Sequence, residues 1–162
     1  MKRLISAAVA GAMMLGPAAA ADLAAGMLAF DQGDYPGALA EWTPLADSGD
    51  ATAQSLLALL YRTGEGVRRD ATTAAIWYRR AAMQGHPYAQ YNLGEMYRAG
   101  DGVPQDLVQA YVWFALAAQQ IPPGADGTSS ASRARDAVGA RLSAPLRRAA
   151  QDQIDIFLPS SE

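Results

Sequence analysis

The chain has 162 residues, no cysteine, one histidine, 13 basic residues and 16 acidic ones. A length of this order fits one domain. The missing cysteine excludes disulfide staples, a thiol nucleophile, thiolate metal ligation and a lipid-modified cysteine anchor. The acidic balance argues against nucleic acid as a partner.

At the N-terminus, Lys2 and Arg3 form a short basic head. Leu4 to Leu15 is an uncharged apolar run, Gly16 and Pro17 break it, and Ala18 to Ala21 offer small residues for A-x-A cleavage. This is the three-part order of a secretory signal peptide, expected over 1–21. A single membrane-spanning helix is the competing reading, because the uncharged stretch reaches the lower length limit for one. Its alanine-rich composition and Gly11, Gly16 and Pro17 weigh against that. Cleavage after Ala20 or Ala21 removes Lys2 and Arg3, two of the 13 basic residues, and leaves 11 arginines against 16 acidic residues, a net charge near −5. The expectation is a periplasmic or secreted protein with no stable membrane anchor after signal cleavage.

Residues 22–49 form a short helical pair whose pattern becomes clear beside the two longer units C-terminal to it. Ala51–His86 and Pro87–Pro122 align at a constant offset of 36, with 14 of 36 positions identical and no gap. The shared residues include Ala53/Ala89, Gln54/Gln90, Leu57/Leu93, Tyr61/Tyr97, Gly64/Gly100, Gly66/Gly102, Val67/Val103, Asp70/Asp106, Ala74/Ala110 and Trp77/Trp113. Self-similarity at this period is the mark of a stacked repeat. In the earlier segment Phe30 takes the place of Tyr61, Gly33 that of Gly64, Asp34 that of Asp70, Ala38 that of Ala74 and Trp42 that of Tyr78. The G-x-G-V loop is missing there, so 22–49 reads as a degenerate first repeat with a tighter turn, followed by repeats at 50–86 and 87–121.

Within each unit the spacing predicts two helices. Ala53, Leu57, Leu60 and Tyr61 share one helical face, as do Ala74, Trp77, Tyr78, Ala81 and Ala82. Alanines allow close approach and aromatics fill the space beside them. Gly64-Glu65-Gly66-Val67 and Gly100-Asp101-Gly102-Val103 are the turns, with glycine supplying positive φ after the helix end and valine tucking back as an apolar plug. Asp34, Asp70 and Asp106 are expected N-caps, and Asp106 with Gln109 has capping-box spacing. Gly49 and Gly85 end the second helices, and Pro87 opens the next.

Residues 122–131 are Pro/Gly/Ser-rich and read as a flexible loop. Residues 132–158 read as a C-terminal helical cap. One helix runs over Arg133–Leu142 with Ala134, Val138 and Leu142 on one face. A last helix, N-capped by Ser143, carries a stripe of Leu146, Ala149, Ala150, Ile154 and Phe157. Solenoid ends expose an unfilled apolar face and need such a cap.

The repeated string A-x-A-Q-x-x-L-A/G-x-x-Y-x-x-G-x-G-V-x-x-D-x-x-x-A-x-x-W-Y/F-x-x-A-A resembles the Sel1-like repeat family. The related tetratricopeptide repeat has a period of about 34 and lacks the G-x-G-V loop. The resemblance covers about Leu23 to Gln120, weakly in the first unit. It implies an all-α, right-handed α/α solenoid that binds other proteins. Some secreted members of the family are cysteine-rich, and their properties do not carry over to a chain without cysteine.

The inventory for chemistry is thin. His86, in Gly85-His86-Pro87, reads as a cap or a surface residue. Ser143 has no histidine near it in sequence for a triad. The G-x-G elements recur with the repeat and lack the strand and third glycine of a phosphate cradle. No catalytic residue, metal site or cofactor is expected.

The informative positions lie on one helical face where the two good repeats differ, at Thr52/Tyr88, Ser55/Tyr91, Leu56/Asn92 and Leu59/Glu95, with the shared Arg62/Arg98 at its end. Leu56, Leu59, Arg62, Tyr88, Tyr91, Asn92, Glu95 and Arg98 form a stripe on the first helices, opposite the motif residues. First helices line the concave side of such solenoids, and Tyr and Arg are enriched in binding hot spots. The stripe is therefore the candidate groove for a protein or peptide partner, the competing reading being a solvated face. The function expected is that of an exported interaction scaffold or adaptor. The resemblance offers an envelope regulator as one candidate partner. A peptidoglycan-associated binding protein or hydrolase is the alternative, although no acid/base pair stands at a credible spacing.

Overall fold

The computed structural model describes residues 22–122 and 129–157, and among these all regular structure is helical. The helices are α1 (Leu23–Asp31), α2 (Tyr35–Asp47), α3 (Ala51–Thr63), α4 (Ala71–Met83), α5 (Pro87–Ala99), α6 (Leu107–Ala118), α7 (Ser130–Gly139) and α8 (Ala144–Phe157). From α1 to α7 each helix packs on its successor, and α8 returns to pack on α6. This is an α/α solenoid of three helical hairpins followed by two further helices. The segment read as a signal peptide lies outside the described residues, as do 123–128 of the expected loop.

Helix starts follow from side-chain acceptors that meet the free first-turn amides. Asp34 and Asp70 accept from the amides of Gly37 and Thr73, both at 3.0 Å, and Asp106 from those of Val108 and Gln109. Asp22 and Asp50 act in the same way on α1 and α3. In the expected capping box, Gln109 does not return the bond to Asp106. Its amide nitrogen instead donates to Gln153 Oε1 of α8 at 2.8 Å, because α8 lies within its reach.

The glycines of the turn hold the units at their spacing. Gly64 and Gly100 end α3 and α5 in the left-handed region, at φ 82° and 73°. The second glycine of each turn is also left-handed and abuts the preceding unit. A Cβ on Gly66 would lie 2.6 Å from Tyr35 Cβ, and one on Gly102 would overlap the Ala71 carbonyl. Each G-x-G turn thus rests on the first residues of the previous unit's second helix, and Val67 and Val103 pack against the core beside it. Buried glutamines tie the units together as well. Gln54 Nε2 donates to Ala46 O at 3.0 Å and Gln90 Nε2 to Ala82 O at 3.2 Å.

The core runs continuously between the layers. Trp42, Tyr78 and Phe114, at equivalent positions on α2, α4 and α6, are among the largest fully buried side chains. At the C-terminal end the observed helices depart from expectation. Ser129 caps α7 by accepting from Ser132 N, so this helix starts at Ser130, three residues before the expected Arg133, and ends at Gly139. Val138 and Leu142 are buried as the spacing requires. In α8 only Ala150 and Ile154 of the expected stripe are buried, whereas Leu146 is 46% exposed and Ala149 is exposed. The reason is geometric: α8 packs chiefly on α6, through one narrow face.

Candidate partner-binding groove

The groove is built by the first helices of the hairpins. Met27 of α1, Thr52, Ser55, Leu56 and Leu59 of α3, and Tyr88 and Asn92 of α5 surround a hollow of about 370 Å³. Tyr78 of α4 and His86, just before α5, complete its wall. Of the eight residues expected to bind a partner, Leu56, Leu59, Tyr88 and Asn92 converge here. Met27 and Tyr88 are 42% and 60% exposed, so two large apolar surfaces stand open at its rim.

The other four expected residues have different roles. Tyr91 is turned inward, its ring 5.5 Å from Phe114, and it fills the space that its counterpart Ser55 leaves empty. Glu95 and Arg98 form an ion pair one helical turn apart on α5 and neutralise each other. Arg62 borders the groove without lining it. Its Nη1 donates to Asn92 Oδ1 at 2.7 Å, and its Nε is 4.0 Å from Asp101, which Arg69 also engages at 2.8 Å. The expected stripe is therefore one helical face whose upper half opens into a hollow and whose lower half is packed or paired.

Sequence reasoning missed Met27, Tyr78 and His86 as lining residues, whereas Thr52 and Ser55 belong to the expected stripe but were not singled out for binding. Tyr78 was legible only as core, and it is 1% exposed. Its hydroxyl is buried near the Arg62 guanidinium. Burial pushes its pKa up to about 12, against the opposing pull of the Arg62 charge. His86 does act as the cap that its position implied, accepting from Ala89 N at 3.2 Å through Nδ1. Burial lowers its pKa despite the nearby Asp50 carboxylate. With Nδ1 accepting, the neutral ring carries its proton on Nε2. The signal that pointed to the hollow was the exchange of Ser55 for Tyr91 between repeats, once it is paired with the exchange of Tyr78 for Phe114.

Comparison with known proteins agrees with this architecture. The Sel1 repeat family matches residues 51–86 and 87–121. The chain is a Sel1-like repeat protein. Among solved structures it is similar to a protective antigen of uropathogenic Escherichia coli strains that displays an SLR fold. That match has a TM-score of 0.74 and 31% identity over 82% of this chain and 28% of the other. It is also similar to a Sel1 repeat protein from Oxalobacter formigenes, with a TM-score of 0.59 and 33% identity over 61% of this chain and 41% of that one. This Sel1-like repeat protein therefore spans less than half the length of either structure. No curated protein matches its sequence.

Sel1 repeats generally mediate protein–protein interaction, and the family is generally non-enzymatic. Among the described residues, no group of three or more histidine, cysteine or acidic side chains stands close enough to hold a metal ion. No described helix is long and apolar enough to cross a membrane.

Proposed function

We propose that this protein is an exported interaction scaffold that binds a protein or peptide partner on the face formed by α1, α3 and α5, and that it acts by binding rather than by chemistry of its own. The observation that carries this reading is the convergence of Met27, Leu56, Leu59 and Tyr88 around one hollow. These apolar groups come from three helices and meet at a concave surface, where a partner side chain would be enclosed on several sides. Export rests on the three-part order of residues 1–21. A periplasmic or secreted location would place the partner in the envelope or outside the cell, an envelope regulator being one candidate.

The test is capture of a specific partner from envelope extract by the wild-type protein and by Leu59→Glu. Leu59 is only partly buried, so glutamate there places a charge in the groove without entering the core. The expected result is a partner retained by the wild type and lost with the variant, at unchanged helicity. A partner retained equally by both would place binding elsewhere. Residues 1–21 fused to a reporter active only in the periplasm test export directly.

A further inference from the structure

Helix α8 carries more apolar surface than its packing on α6 covers. Only Ala150 and Ile154 of this helix are buried. Beside them runs a second stripe. Leu146, Ala149, Gln153 and Ile156 follow one another at intervals of three, four and three residues, the spacing of a seam between two paired helices. Ile156 is 79% exposed, Leu146 46%, and Ala149 is exposed as well. Gln153 is the one polar member, and its side-chain oxygen is already occupied by Gln109 of α6. The chain leaves this seam largely open.

The charges of α8 decide what fits the seam. Arg147 and Arg148 stand in its first half, Asp152 and Asp155 in its second, so the helix is neutral as a whole. A lipid surface would call for a positive excess, which this helix does not offer. The order of the charges also opposes the helix dipole, which favours acidic side chains at the N-terminus and basic ones at the C-terminus. Gln151 holds Asp155, but no hydrogen bond or ion pair among the described residues engages Arg148 or Asp152. An antiparallel copy of the same helix reverses both the dipole and the order of charges. Laid against itself in that sense, the seam sets Leu146 on Ile156 and Ala149 on Gln153, each twice. In the same register Arg148 of one copy comes within one helical turn of Asp152 of the other, on one flank of the seam.

We propose that α8 is a self-association surface, on which two copies of this chain pair antiparallel about a two-fold axis through the seam of Leu146, Ala149, Gln153 and Ile156, with Arg148 of each copy beside Asp152 of the other. The helix is only about 21 Å long. The area it can bury lies at the low end for protein contacts, so the dimer is weak, with a dissociation constant in the micromolar range. The hollow between α1, α3 and α5 has no lining residue from α8, so self-association and partner binding are separate properties.

The test is sedimentation equilibrium of the full chain from micromolar to millimolar concentration, with helicity followed by circular dichroism. The wild type is expected to pass from monomer to dimer across this range. Ile156→Ser, Arg148→Asp and Asp152→Arg each change an exposed side chain, so loss of fold is not the expected effect. Each is expected to weaken the dimer at least about tenfold at unchanged helicity. An equimolar mixture of Arg148→Asp with Asp152→Arg is expected to restore it, because only the mixed pair sets opposite charges across the seam. A dimer that all three variants leave unchanged lies on another face and overturns the proposal. A dimer lost with Ile156→Ser but indifferent to the charge variants, or a mixture no tighter than its components, overturns the antiparallel register. A chain that stays monomeric to millimolar concentration overturns self-association altogether, and flotation with anionic vesicles then tells whether a lipid surface takes the seam instead.

Discussion

The second glycine of the G-x-G turn shows how a single residue fixes the repeat. Gly102 is left-handed at φ 72°, and any Cβ there meets the Ala71 carbonyl. Gly49 is also left-handed, at φ 105°, but has nothing within 4 Å of where its Cβ would lie. The two therefore separate backbone strain from steric overlap. Gly49→Ala is expected to destabilise by about 1–2 kcal/mol, the left-handed penalty alone. Gly102→Ala adds overpacking between units and is expected to cost about 2–4 kcal/mol in urea denaturation. Equal losses would mean that the turn does not rest on the neighbouring helix. The first glycine's role was legible because a helix must stop there. The second's contact was not, since its partner lies in the previous repeat.

Tyr78 offers a second test at this scale. Its folded-state pKa, raised by burial from 10.0 to about 12, means that the folded protein holds this proton where an unfolded chain releases it. The contribution to stability is complete below pH 10 and is lost as pH rises through about 12. Tyr78→Phe removes the titration, so its melting temperature is expected to fall less steeply than the wild type's between pH 10 and 12. Parallel curves would show that the hydroxyl reaches solvent in the folded protein.

Among the elements, α5 is the only one of the six hairpin helices whose N-cap side chain titrates near neutral pH. Asp caps the other five, and His86 caps this one. The cap requires Nδ1 as an acceptor, which a protonated ring lacks. Burial lowers the folded-state pKa of His86 below 6.5, with Asp50 opposing. The unfolded chain therefore binds the proton first. The stabilising contribution is complete above pH 6.5 and is lost as pH falls through the lowered folded-state value. His86→Asn retains a cap acceptor without a titration. Its melting temperature is expected to change less than the wild type's between pH 7 and 5, with His86→Ala about 1 kcal/mol less stable at pH 7. The position of this cap was legible from Gly85-His86-Pro87. Its place in the groove wall was not, because the wall is assembled by α1 and α3 as well.

Helix α2 carries a different anomaly. Pro44 lies inside the helix on an exposed surface, where it removes one backbone bond and crowds the preceding turn. Arg80 holds the equivalent place in α4 and stacks on Trp77 at 4.6 Å. Pro44→Ala is expected to stabilise the protein by about 1–3 kcal/mol, read as a higher denaturation midpoint. An unchanged midpoint would mean that α2 is already bent to accommodate the ring.

At the scale of the molecule, the repeat was almost wholly legible and the site only half. The 36-residue offset fixes which faces are buried, because every unit must meet its neighbour in the same way. Deviations from the repeat mark where it does something else, but their meaning depends on neighbours across units. Ser55 and Tyr91 differ identically on paper, yet one opens a hollow and the other closes it. The C-terminal end shows the same limit. Trp77 and Trp113 are equivalent in sequence, but Trp113 is only 5% exposed while Trp77 is only partly covered. The difference is α8, which lays Phe157 5.5 Å from the Trp113 ring and buries Ala150 and Ile154 beside it. The main helix–helix contacts run from each of α1 to α6 to its successor, with α8 on α6 as the exception. Stability should then be distributed locally, as in other stacked repeats. Ile154→Ala removes the most deeply packed large side chain of α8 and is expected to destabilise by about 2–4 kcal/mol. Hydrogen exchange is expected to accelerate in α6 and α8 and to stay unchanged in α1 to α3. Acceleration spread evenly from α1 to α8 would instead mean that the eight helices unfold as one unit, with the C-terminal helices holding the groove in place from a distance.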